Sequence, residues 1–275
     1  MDDVRVSDSI KIAGEGDPVV FLHGGPGLRD YGVLLQSELA EWRLIHYQQR
    51  GLAPSPTTGP FTVEQHFEDL ISVLDAQGMD RVILLGHSWG CSLGLYTAIV
   101  APERVAGLVL VDPLGTDGDG GASAMNHTLT ERLLPAVRPQ AKEVDKRLSL
   151  PQPTDEDGTE YLALRWPGYF ASPENAPPLP ADFAFSLTCN VQTMTSLLEH
   201  MAGGTFTRAL SALHMPVEFV IGKESPIPTE ASQSTAAMLP HANTTIVPNA
   251  GHLPWYERPG CVREALERLS IKCAL

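Results

Sequence analysis

Cysteine is scarce in this chain, and the few that occur are scattered. The four are Cys91, Cys189, Cys261 and Cys273, in 275 residues. None forms a Cys-x-x-Cys pair, so neither a zinc knuckle nor a disulfide framework is expected. Cys91 lies in an apolar segment and reads as a small core residue. Positive charge is also short: 19 Lys and Arg stand against 33 Asp and Glu, a formal net charge of -14. That balance argues against nucleic acid and against anionic membrane surfaces as partners. No apolar run is long enough to span a bilayer, and MDDVRVSD at the N-terminus has no basic region and no apolar stretch of the signal-peptide kind. A soluble cytoplasmic protein is expected. No two histidines stand four apart with an acidic neighbour, so no zinc signature is present, and no metal or cofactor is expected.

What is present is an alternation of short apolar runs with helical patterns. VVFL (19–22), RLIHY (43–47), RVILLG (81–86), GLVLVD (107–112), VEFVIG (217–222) and TTIV (244–247) read as buried strands. Their near-continuous apolar character suits a parallel sheet covered on both faces. VRV and IKI around a Ser-Asp turn suggest an antiparallel hairpin ahead of them. In VEQHFEDLISVLDAQG (63–78), Phe67, Leu70, Ile71 and Leu74 share one helical face, with Thr62 as the N-cap and Gly78 at the end. The stretch after Ser88 and CVREALERL (261–269) also read as helices. Strand–helix alternation implies a doubly wound sheet with right-handed crossovers. The pattern breaks between Pro113 and Leu213. Residues 1–112 and 214–275 therefore read as an α/β core, and 113–213 as a helical cap inserted after the sixth strand.

Three segments carry chemistry. RVILLGHSWG sets Gly86-His87-Ser88-Trp89-Gly90 after a strand and before a helix, the context a nucleophile elbow requires. A turn that tight needs neighbours without side chains two residues away on either side, and Gly86 and Gly90 supply them. A serine hydroxyl needs a base, and His252 in VPNAGHLPWYERP follows the last strand, where a loop can bring it over Ser88. The other eight histidines read as structural; His87, inside the elbow, is expected to point elsewhere. The third segment is PVVFLHGGPG (18–27), whose glycines are costly in backbone entropy and call for bare N–H groups or close backbone approach.

GHSWG, the early HGGPG and the late GHLPWYERP, in that order, resemble the α/β-hydrolase superfamily over nearly the whole chain. HGGPG and YQQRG (47–51) are most similar to its proline iminopeptidase-like branch. Where that branch carries Asp-Gln-Arg-Gly, this chain has Gln48-Gln49-Arg50-Gly51. The resemblance implies an α/β-hydrolase fold, with Ser88 as nucleophile and His252 as base. It also implies an oxyanion hole made by the backbone amides of Gly25 and Trp89. Most relatives place the triad acid in a Gly-x-x-Asp-Pro segment, but this chain reads Gly222-Lys223-Glu224-Ser225-Pro226. Asp112, at the end of GLVLVD, is the favoured acid, because a triad is defined by geometry and not by chain position. Glu224 is the alternative, and a serine–histidine dyad without an acid is the third arrangement.

The expected substrate is a small molecule. Trp89 beside the nucleophile would make one pocket wall aromatic. Leu28 and Trp255 flank the site, and the cap offers Trp166, Tyr169, Phe170, Phe183, Phe185 and Met201. An ester, amide or thioester of an apolar or aromatic group follows. The acidic run DEDGTE (155–160) reads as a solvated loop, with capture of a substrate ammonium as its other use. Three functions remain open. One is a serine hydrolase. Another is a non-hydrolytic enzyme on the same scaffold, such as a cofactor-free dioxygenase, lyase or acyl transferase. The last is a ligand-binding homologue of low turnover. The sequence gives no oligomeric state.

Overall fold

Seven strands form one sheet: β1 (Lys11–Ala13), β2 (Pro18–Leu22), β3 (Arg43–His46), β4 (Val82–His87), β5 (Val105–Val111), β6 (Val217–Gly222) and β7 (Ala242–Val247). The computed structural model describes residues 4–273; Met1–Asp3 of the N-terminal MDDVRVSD lie outside it. The spatial order is β1-β3-β2-β4-β5-β6-β7, and only the β1–β3 pairing is antiparallel. This is the α/β-hydrolase architecture. β2, β4, β5 and β6 are buried almost throughout, as runs of Val, Ile and Leu between two helical layers must be.

Helix α1 (Val63–Ala76) begins at Thr62, whose hydroxyl accepts from Gln65 N at 3.3 Å. Helix α2 (Trp89–Val100) is apolar all round and has ten of its twelve residues buried. Between β5 and β6 the chain forms α3 (Ala122–Glu131), α4 (Arg138–Leu148), α5 (Asp155–Arg165), α6 (Leu187–Ala202) and α7 (Thr205–Ala209). After β6 come α8 (Thr229–Ala237), α9 (Pro254–Glu257) and α10 (Cys261–Cys273). Among the described residues no helix is long and apolar enough to cross a membrane.

Register places the chemistry. Leu22 of β2 lies beside Gly86 of β4, His87 beside Val111 of β5, and Val111 beside Val220 of β6. The carboxyl ends of these strands therefore share one edge of the sheet, the edge at which ligands bind in open α/β folds.

Two local expectations are corrected. The expected N-terminal hairpin does not form. Val6–Ser9 closes a 3-10 turn, because Asp8 accepts from Arg5 N at 3.3 Å and the Ser9 hydroxyl donates to Val6 O at 2.7 Å. The helical insertion consequently follows the fifth strand, not the sixth. The run DEDGTE is not a loop but the start of α5. Thr154 and Asp157 cap it reciprocally, and three carboxylates fill its first turn, where the helix dipole favours negative charge. Arg147 of α4 pairs with Asp157 at 2.6 Å and also with Glu160. Asp157 and Glu160 thereby tie α5 to α4.

Candidate active site

Ser88 sits between β4 and α2 with φ 53° and ψ -120°. A non-glycine residue held there costs about 1–3 kcal/mol, so its surroundings must impose it. A Cβ on Gly86 would lie 2.6 Å from Gly90 O, and one on Gly90 only 1.9 Å from Leu22 O. Both glycines are thus required by contact, and the turn they permit leaves Ser88 9% exposed at the sheet edge.

Asp112, one residue past β5, also has a positive φ of 48° and is 1% exposed. Three donors meet its carboxylate. Gly222 N donates to Oδ1 at 3.0 Å, the Ser225 hydroxyl to Oδ2 at 2.5 Å, and His252 Nδ1 to Oδ2 at 2.5 Å. The carboxylate behind the imidazole is therefore that of Asp112. Glu224, the alternative, is engaged through its backbone: its N–H donates to Ala250 O and its carbonyl accepts from Arg132. Ser225, in the segment where the resemblance led to the expectation of an acid, serves as a donor to Asp112.

The histidine loop is fixed from both sides. His252 N donates to Tyr169 O at 2.7 Å, and a Cβ on Gly251 would meet that same oxygen at 2.2 Å. Glu257 accepts from Gly251 N at 2.6 Å and from Ala171 N at 2.9 Å, so one carboxylate ties the loop to the insertion. With Nδ1 committed to Asp112, His252 has Nε2 left for the cavity that it and Ser88 both line. Among the described residues no direct hydrogen bond joins Ser88 Oγ to the imidazole. Such contacts commonly close only when substrate is bound.

The glycine turn after β2 is shaped by similar needs. Gly25 and Gly27 have φ of 129° and 81°. A Cβ on Gly27 would lie 2.5 Å from Ser186 O. Ser186 N donates to Gly27 O at 2.8 Å, Arg29 N to Ala184 O at 3.0 Å and Asn190 Nδ2 to Pro26 O at 3.0 Å. The insertion thus docks directly on this turn. From beneath, Gln48 accepts from Asp30 N through Oε1 and donates to Leu28 O through Nε2, both at 3.0 Å. An ionised aspartate at position 48 accepts only and could not make the second bond.

Not all expected site residues face the cavity. Leu28 and Trp166 line it. Trp89 does not: its indole is 0% exposed, packs edge-on against His66 at 5.2 Å, and donates to Gln49 Oε1 at 2.8 Å. As first residue of α2 it points its side chain into the core. Trp255 does not either; it is 5% exposed and backs the His87 ring at 4.8 Å. Phe170 and Met201 belong to the packed core, whereas Tyr169, Phe183 and Phe185 line the cavity. His87, expected to point away, lies under the site with its ring 4.6 Å from that of His252. Tyr31 also lines the cavity, and no motif marks it in the sequence.

The cavity measures about 400 Å³. Leu28, Leu114, Met125, Leu162, Phe185 and Met194 make it mostly apolar, and Tyr161, Trp166 and Tyr169 add aromatic faces. Two lining carboxylates occur. Asp30 is buried and already bound to His46 at 2.7 Å and to Gly32 N at 2.9 Å, while Asp182 is exposed. Among the described residues no cluster of three His, Cys, Asp or Glu is placed to hold a metal ion.

Comparison with known proteins agrees with this architecture. The sequence model described as "Alpha/beta hydrolase family" matches residues 19–262. A protein of Enterobacter cloacae subsp. cloacae named "Putative carbamate hydrolase RutD" is 28% identical over 253 residues, 86% of this chain and 85% of that one. A proline iminopeptidase of Heyndrickxia coagulans is 35% identical over 104 residues, 36% of each chain. The crystal structure of proline iminopeptidase from Mycobacterium smegmatis superposes with a TM-score of 0.66 at 20% identity, covering 98% of both chains.

Proposed function

The chain belongs to the alpha/beta hydrolase family, and we propose that it is a serine hydrolase for small, largely apolar carboxylic esters and thioesters. The observation that carries this is the 2.5 Å bond from His252 Nδ1 to Asp112 Oδ2, with His252 and Ser88 on one cavity. In this reading His252 Nε2 takes the Ser88 proton as Oγ attacks the substrate carbonyl. The oxyanion is met by the amides of Gly25 and Trp89, the latter at the N-terminus of α2. His252 then returns the proton to the leaving alcohol or thiol, and the acyl-serine is hydrolysed by water through the same steps in reverse order. Asp112 fixes the Nδ1–H tautomer and stabilises the imidazolium.

The cavity chemistry supports a neutral acyl group, with residues 113–213 acting as the cap over it. A free amino terminus, the handle of an aminopeptidase substrate, needs a desolvated carboxylate that is not already occupied. Asp30 is occupied and Asp182 is exposed. A carbamate offers the same kind of carbonyl and belongs in the same panel. A second reading draws on Asp112 standing at β5: in cofactor-free dioxygenases a His–Asp pair so placed acts directly on an acidic substrate, without the serine. Turnover of p-nitrophenyl butanoate tests the proposal. Activity lost in both Ser88→Ala and His252→Ala is expected; activity that survives Ser88→Ala excludes the acyl-serine route.

A further inference from the structure

The glycine turn and the histidine loop belong to opposite ends of the chain, yet two side chains outside the triad join them. Tyr31 Oη lies 2.5 Å from Gly24 N and 2.5 Å from His87 Nδ1. His87 Nε2 lies 2.8 Å from the backbone oxygen of His252. An amide N–H only donates and a carbonyl only accepts. Burial keeps the His87 imidazole neutral, so the protons have one arrangement. Gly24 N–H donates to Tyr31 Oη, the Tyr31 hydroxyl donates to His87 Nδ1, and His87 Nε2–H donates to the His252 carbonyl. We propose that Tyr31 and His87 are positioning residues that hold the oxyanion loop and the base histidine in register. The catalytic consequence rests on the serine-hydrolase reading; the proton arrangement does not.

Three further observations support it. A Cβ on Gly24 would lie 2.6 Å from Tyr31 Oη and 3.1 Å from Ser88 Cβ, so the bare α-carbon makes room for the tyrosine. The His87 ring is held between Trp255 at 4.8 Å, edge to face, and His252 at 4.6 Å. Burial raises the Tyr31 phenol above its ordinary range and drops the His87 imidazole well below its own. Neither group ionises near neutrality, and the relay keeps its direction. Because Gly24 N–H is engaged by Tyr31, it is not free to donate to a substrate oxygen.

The test compares Tyr31→Phe, His87→Gln and His87→Leu with the wild type, each checked for folding by circular dichroism. A glutamine amide reaches the His252 carbonyl from the position of Nε2; leucine fills similar space without a polar atom. Tyr31→Phe is expected to lower kcat roughly ten-fold or more with KM changed less than about two-fold. Nitrogen-15 spectra of labelled histidine should show the unprotonated His87 Nδ1 shifting as it loses its hydroxyl donor in that variant, with Nε2–H retained on the His252 carbonyl. His87→Gln is expected to keep at least about five-fold more kcat than His87→Leu. An unmoved His87 Nδ1 resonance in Tyr31→Phe, or equal kcat in the two His87 variants, would overturn the proposal. The Nδ1 resonance is read without turnover. A wild type that hydrolyses no ester therefore sinks the serine-hydrolase reading while the spectra still judge the relay.

Discussion

The Ser225 hydroxyl donates to Asp112 Oδ2 across 2.5 Å, so the residue where an acid was expected bonds the carboxylate that stands one residue past β5. The same oxygen receives His252 Nδ1. Asp112→Asn is expected to lower kcat by about 10³–10⁴, through loss of the Nδ1–H tautomer. Glu224→Gln should remain within about three-fold of wild type, since the backbone of Glu224, not its carboxylate, bonds the surrounding loop. Adding Ser225→Asp to Asp112→Asn should recover part of kcat, because a carboxylate at 225 lies within reach of the same imidazole. Steady-state kinetics on one ester settles all three. A silent Asp112→Asn would remove Asp112 from the triad.

Gly158 sits inside α5, where glycine costs about 1 kcal/mol relative to alanine. A Cβ there would meet the Phe185 ring at 2.8 Å, and both residues line the cavity. Gly158→Ala should push the ring into the cavity and shift kcat/KM toward shorter acyl chains, by about ten-fold between butanoate and decanoate esters. A p-nitrophenyl ester series measures it. An unchanged chain-length profile would mean that Phe185 does not bound the acyl site.

Glu218 on β6 is fully buried and bonds Lys272 at 2.7 Å, Asn243 at 2.9 Å and Arg268 at 3.1 Å. Burial alone would raise its pKa, but Lys272, Asn243 and Arg268 outweigh burial and hold it below the ordinary carboxylate range. A depressed folded pKa contributes stability above the unfolded value, about 4.3, and that stability is lost as pH falls through the folded value. Glu218→Gln should therefore lower Tm at pH 7 and have a smaller effect below pH 4. Thermal melts across pH would show it; an equal difference at every pH would contradict it.

Gly251→Ala places a methyl group 2.2 Å from Tyr169 O, the atom that holds His252 N. The loop must shift, and displacement of about 1 Å at a catalytic group is worth about 10² in rate. kcat should fall by about that factor while circular dichroism stays native. Wild-type kcat would show that the loop adapts.

The features legible in the sequence were those imposed by steric need. Gly86, Gly90 and Gly251 are bare because a neighbouring carbonyl lies where a Cβ would go, so glycine itself records the contact. Side-chain direction left no such record. Trp89 and Trp255 stand beside site residues in the chain, yet the elbow turns one indole into the core and α9 turns the other onto His87. The Tyr31–His87 contact spans 56 positions and carries no motif. DEDGTE resembles a loop in sequence because its reciprocal cap uses aspartate in place of glutamate.

The reactivity of the Ser88 hydroxyl is the most direct test of the serine-hydrolase chemistry. Incubation with a fluorophosphonate, followed by peptide mass spectrometry, should place the phosphonyl group on Ser88 in the wild type. Labelling should slow by about 10³ or more in His252→Ala. A label on another residue, or equal rates in the two proteins, would contradict activation of Ser88 by the Asp112-held imidazole.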